Sequence, residues 1–144
     1  MTVTFRQASC VLINGCAVLI EGPPGCGKSS LALALIDRGA VLVGDDGVAL
    51  EAVQGRLWAS PPPNIAGLVE VRNVGLVEMP VGEGPVGLLI RLDPAAPRFV
   101  DEAAQEEVCG VDVPVIALFP DSPVLHLRAE WAVRKHAQKR ANRA

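Results

Sequence analysis

Two groups of residues in this sequence have types and spacing suited to chemistry on phosphate. The first is Gly22, Pro23, Pro24, Gly25, Cys26, Gly27, Lys28, Ser29 and Ser30, which fits G-x-x-x-x-G-K-[ST]. The glycines let backbone N–H groups converge on phosphate oxygens, and the amino end of a following helix adds positive potential. Lys28 is then placed to reach the terminal phosphates of a nucleotide, and the Ser29 hydroxyl to ligate Mg²⁺. Cys26 sits where a thiolate is favoured, near a helix N-terminus, but a small residue that merely fits is the simpler account. The second group is Asp45 and Asp46, which begins 17 residues after Lys28. Two adjacent carboxylates beside a phosphate can divide the work: one holds Mg²⁺, the other orients or deprotonates the attacking group. The plain alternative is that Asp45-Asp46-Gly47 is only a turn. Asp93, at the end of "LLIRLD", is a rival for the metal acid.

The elements that must position these residues can be read from pattern. "CVLINGCAVLIEG" reads as two strands joined by Asn14-Gly15, and the second, continuously apolar, runs into the loop as a buried central strand should. Residues 28–38 read as a helix stopped by Gly39, with so little polar surface that it is expected to be largely buried. "AVLVGDD" is then a short strand. A right-handed crossover makes it parallel to the strand before the loop, and this places both aspartates at the carboxyl ends near the phosphates. "GVALEAV" is expected to continue that strand or pair beside it.

Farther on, "RLWAS" reads as a strand followed by a stiff Pro61–Pro63 connection. "LVEVRNVGLVEM" reads as a strand pair, or one strand with a bulge near Gly75, and a period of two puts Glu70 and Arg72 on one face. Taken alone, those two are a solvated surface pair. Residues 81–85 read as a turn, and 86–93 and 113–119 as strands. Ser122 and Pro123 suit the N-cap and first position of a helix running to about Lys139. His126 and His136 on that helix have no third ligand beside them and read as surface residues. With no repeats and no long linker, residues 1–144 read as a single α/β domain.

Composition sets outer bounds. The net charge of −3 gives no overall positive field for nucleic acid. Apolar runs are too short to span a bilayer, and no secretion signal is expected at the start. Four cysteines without metal spacing read as reduced thiols of a cytoplasmic protein. With three Phe, two Trp and no Tyr, the core must be built from Val, Leu, Ile and Ala.

Three pieces in order, "GPPGCGKSS" (22–30), "GAVLVGDD" (39–46) and "VEVRNVG" (69–75), resemble the HPr kinase/phosphorylase family. The chain is similar to the family's short form, which lacks the extra N-terminal domain. The resemblance implies a P-loop α/β domain related to phosphoenolpyruvate carboxykinase, with a mixed sheet and flanking helices. It implies ATP and Mg²⁺ as cofactors, an HPr-like phosphocarrier protein as partner, and transfer of phosphate to a serine, reversed by phosphate attack that yields pyrophosphate. It also implies a homo-oligomer, a hexamer in the family. Asp45 matches the family's catalytic acid/base, Asp46 and Glu70 residues at the metal, and Arg72 an arginine suited to offsetting charge on the transferring group.

Three positions depart from the family pattern. Gln7 stands where the family has histidine, Asn73 replaces a signature glycine, and "FPDSPVLHL" has no Gly-Arg-Asn equivalent. Gln7 does not titrate, which bears on regulation or the reverse reaction before nucleotide binding. Two further readings follow: a catalytically weakened nucleotide-binding regulator, and a small-molecule kinase on the same scaffold. The basic residues Arg128, Arg134, Lys135, Lys139, Arg140 and Arg143 suit a helix C-terminus, with docking to an acidic partner as the functional alternative.

Overall fold

Asn14 and Gly15 both adopt positive φ, 52° and 80°, as a two-residue hairpin turn requires. They join β2 (Ser9–Ile13) to β3 (Cys16–Glu21) in a register running from Ser9 opposite Ile20 to Ile13 opposite Cys16. The computed structural model describes residues 2–64 and 66–138. Before this hairpin lies β1 (Val3–Arg6); after it come α1 (Lys28–Asp37), β4 (Val41–Gly44), β5 (Val48–Val53) and β6 (Arg56–Ser60). Then follow β7 (Leu68–Val71), β8 (Gly75–Glu78), β9 (Gly84–Leu92), β10 (Ala104–Val108), β11 (Val111–Leu118) and α2 (Leu125–His136).

The main sheet is mixed and curled, and β9 is the strand that makes it so. Its first residues pair antiparallel with β6, Gly84 opposite Ala59 and Pro85 opposite Trp58. Its later residues pair parallel with β11, while its other edge pairs parallel with β3. One branch is thus β1-β5-β6; the other runs β4-β2-β3-β9-β11-β10. Side chains alternate along β3 and β9, and both faces are buried, which explains why these strands read as unbroken apolar runs. Leu19 and Leu89 face Leu50, Leu57 and Val113 inside the curl. Ile20, Leu88 and Ile90 face Leu31, Leu35, Leu125 and Ala129 of the two helices, which share that side of the sheet. Each fully buried leucine contributes roughly 2 kcal/mol. Among the described residues the fully buried hydrophobic ones include no aromatic ring, in keeping with the aliphatic core expected; Phe5, Phe99 and Trp131 are exposed.

Several expectations need correction. The strand after the loop helix does run in the same direction as β3, as expected, but it is not β3's neighbour: β2, antiparallel to both, lies between them. β5 neither continues β4 nor pairs beside it, because the turn at Asp45–Gly47 redirects the chain to pair with β1 and β6. α1 buries one face, Leu31, Ala32 and Leu35, and its remaining side chains are partly or fully exposed. It ends as expected: Gly39 has φ 111°, and the N–H groups of Gly39 and Ala40 donate to the carbonyls of Ile36 and Leu35.

β7 and β8 form the strand pair anticipated around Gly75, as a separate two-stranded sheet. Arg72, however, lies in the turn between them and not on the strand with Glu70, because Asn73 adopts φ 70° and closes the hairpin there. α2 begins at Leu125 with Val124 as its N-cap. The Ser122 hydroxyl instead accepts the Val124 N–H in a turn ahead of the helix. α2 ends at His136, and Lys139, Arg140 and Arg143 lie outside the described residues. Among the described residues no helix is long and apolar enough to cross a membrane.

Candidate active site

Because β3 and β9 are parallel and β4 shares their direction, Glu21, Gly44 and Leu92 end at the same edge of the sheet. The phosphate loop leaves from the first, Asp45 and Asp46 follow the second, and Asp93 follows the third. Carboxyl ends of parallel strands are where an α/β sheet places its ligands. Gly27 is the N-cap of α1 with φ 102°, a conformation that side chains resist, and its carbonyl accepts the Leu31 N–H at 2.9 Å. Gly44 is required for a different reason: a Cβ there would run into the Gly47 carbonyl, so only glycine allows the turn that presents the aspartates.

Within this frame the loop and the aspartates meet. The Ser29 hydroxyl donates to Asp45 Oδ1 at 2.6 Å. The Ser9 hydroxyl, from β2, donates to the same oxygen at 3.3 Å. Lys28 folds back over the loop, its ammonium donating to the carbonyls of Gly22 at 2.9 Å and Pro23 at 3.4 Å, with no carboxylate partner among the described residues. Asp46 is exposed at φ 62°, and its carboxylate has no hydrogen-bond partner among the described residues. Asp93 behaves as a turn residue, accepting the Ala95 N–H at 2.8 Å, and makes no bond to Ser29.

Glu70 and Arg72 are exposed on the β7–β8 hairpin, and no hydrogen bond or ion pair joins either to Lys28, Ser29 or Asp45. Ser29, Asp45 and Asp46 offer hard oxygen donors, the type Mg²⁺ takes. The described residues hold no group of three or more His, Cys, Asp or Glu fit to cage a metal. Mg²⁺ does not need one, since it binds through one or two carboxylates together with phosphate and water. Cys10, Cys26 and Cys109 are free thiols, and burial pushes the Cys10 thiol up.

Beside the loop lies a group that the sequence reading did not find. Arg6, Glu21, Arg91 and Glu106 come from β1, β3, β9 and β10, up to 100 positions apart, and join in one ionic network. Arg6 Nε pairs with Glu21, and Arg91 bridges Glu21 and Glu106, each at 3.0 Å. Burial pushes the Glu21 carboxyl up, but hydrogen bonds from Arg6 and Arg91 outweigh it and hold the group below the usual carboxylate range. The hydrogen bond from Arg91 lowers Glu106 in the same way. Next to this network a cavity of about 550 Å³ opens against Gly22 and Pro23, lined also by Gln7, Leu92 and Asp93. It touches the loop's first residues and not Lys28 or Ser29.

Residues 2–84 match the family model described as the HPr Serine kinase C-terminal domain. The chain belongs to this family. The match takes in the loop, both aspartates and the β7–β8 hairpin. The HPr kinase/phosphorylase of Clostridium tetani is 43% identical over 68 residues, 47% of this chain and 22% of that protein. The HPr kinase/phosphorylase of Streptococcus thermophilus is 44% identical over 68 residues, again 22% of its length. The aligned part thus spans about a fifth of these curated relatives. The structure of the Hpr(Ser) kinase/phosphatase from Coxiella burnetii superposes with a TM-score of 0.80 at 33% identity, covering 91% of this chain and 88% of that one. That likeness extends the family fold, a curled mixed sheet with few helices, well beyond residue 84.

Proposed function

We propose that this chain is the catalytic domain of an ATP-dependent protein serine kinase acting on an HPr-like phosphocarrier. The observation that carries the reading is the 2.6 Å hydrogen bond between Ser29 and Asp45. It joins the hydroxyl of the phosphate loop to a carboxylate at the end of a different strand, so phosphate binding and acid–base chemistry converge on one spot. ATP phosphates rest on the backbone of Gly22–Gly27, and Lys28 exchanges its carbonyl partners for phosphate oxygens. Ser29, Asp46 and Glu70 would hold Mg²⁺, which supplies positive charge to those oxygens when bound. Asp45 accepts the proton of the attacking serine hydroxyl, a poor nucleophile without such help. Arg72, carried on the hairpin turn, offsets charge on the transferring group.

The same hydrogen bond favours a second division of labour. An oxygen bonded to the Mg²⁺-binding hydroxyl is well placed to serve the metal, which leaves Asp46 as the proton acceptor. Purified HPr, ATP and Mg²⁺ separate the two. If Asp45 is the acceptor, Asp45→Asn lowers phosphoserine formation by roughly 10²–10⁴-fold with ATP affinity preserved and no rescue by added Mg²⁺. Rescue of Asp45→Asn at high Mg²⁺, with Asp46→Asn inert, selects the second division. Full activity in both variants overturns the assignment. Absence of phosphoserine with the wild-type chain at any enzyme level favours a weakened regulator, which Gln7 and Asn73 motivate, while turnover on a metabolite with indifference to HPr marks a small-molecule kinase.

A further inference from the structure

Ser9 is a polar residue with 0% exposure at the start of β2, and its hydroxyl has Asp45 as its hydrogen-bond partner. Cys10 lies opposite Gly44 in the antiparallel β2–β4 pair, so the residue before it stands across from the residue after Gly44. Ser9 and Asp45 are therefore neighbours by register, and the contact is set by the sheet. A buried hydroxyl without a partner is costly, so the bond is maintained. Asp45 Oδ1 thus takes two donors, which fills its two lone-pair directions. Oδ2 is left for whatever enters the site. The two donors differ in origin. Ser29 belongs to the loop and is drawn on when phosphate and metal bind, whereas Ser9 belongs to the sheet and stays fixed.

We propose that Ser9 is a positioning residue: its buried hydroxyl locks the Asp45 carboxylate in register with β2, so that Oδ2 faces the reacting group in both the empty and the loaded loop. This rests on the reading of Asp45 as a reacting carboxylate. Ser9→Ala removes the donor with little change in volume, and Ser9→Thr keeps a hydroxyl. Ser9→Ala is expected to lose roughly tenfold in kcat, with KM for ATP within about twofold of wild type, and Ser9→Thr to recover most of the loss. A crystal structure of nucleotide-free Ser9→Ala supplies a readout apart from activity: the Asp45 side chain leaves its bond to Ser29 or divides between two rotamers. Unchanged kcat in Ser9→Ala overturns the proposal, as does Asp45 remaining in its wild-type place in that crystal. If the wild-type chain phosphorylates no HPr, the kinase reading fails by itself, and the crystal comparison still decides the role of Ser9.

Discussion

Two charged groups flank Gly22, and they are built on opposite plans. On one side, Arg6, Glu21, Arg91 and Glu106 neutralise one another across four strands. On the other, Lys28 rests on neutral carbonyls, and Asp46 has no hydrogen-bond partner among the described residues. A cation already bidentate with carboxylates gives up those bonds to take a phosphate, whereas an ammonium held by carbonyls gives up much less. The first group is suited to holding strands together, the second to meeting a ligand. Proximity to the loop does not distinguish them; the state of their charges does.

The largest effect should come from the open side. Lys28→Ala is expected to weaken ATP binding by at least about 100-fold by calorimetry, with the fold intact by circular dichroism. Wild-type affinity in that variant would break the comparison. An intermediate effect belongs to the closed side. Glu21→Gln removes one charge from a network of four and should cost about 2 kcal/mol of stability in urea unfolding, with ATP affinity close to wild type. Glu21 and Glu106 have carboxyl groups held below their ordinary value of 4.5. Their contribution is therefore fully present above that value and is lost as pH falls through the lower, folded one. Wild-type stability should drop more steeply than that of Glu21→Gln as pH is lowered from about 6 to about 3. Parallel curves would show that the network does not hold the strands.

The smallest effect is expected at the exposed Arg38–Glu130 pair, 2.9 Å apart between the end of α1 and the middle of α2. Arg38→Ala should leave both ATP affinity and the urea midpoint within error of wild type. A clear change in either would mean that exposed pairs also matter in this fold.

The open side was legible in the sequence because it is local. The loop occupies nine consecutive residues, Asn14-Gly15 announces its hairpin, and Asp45 follows by one strand–helix–strand crossover. The closed side was not legible, since its members sit at 6, 21, 91 and 106, and only the curl through β9 brings their strands together. Ser9 was missed for a related reason: its partner is fixed by the β2–β4 pairing, and a serine beginning an apolar strand carries no signal of its own. The strand β10 was also missed, because "AQEEV" is a polar edge and the Cys109-Gly110 turn, with φ 52° and 80°, is not a common turn dipeptide. Arg72 reads as a strand residue because the period of two carries one residue beyond the end of β7 at Val71, into the turn that the left-handed Asn73 closes.

The β7–β8 hairpin has one more consequence. Its main-chain ladder stops at two strands, and beyond it an isolated bridge joins Val81 to Leu42 of the large sheet. Leu68, Val74 and Leu76 face solvent, while Val69 is buried and Val71 and Val77 are half-buried, so the hairpin packs by one face only. A two-stranded ribbon of this kind opens at a lower free energy than the strands that carry the loop. Glu70 and Arg72 are therefore carried on a less stable element than Lys28 and Asp45, and in the proposed reaction their approach to the nucleotide is separate from the assembly of the loop itself.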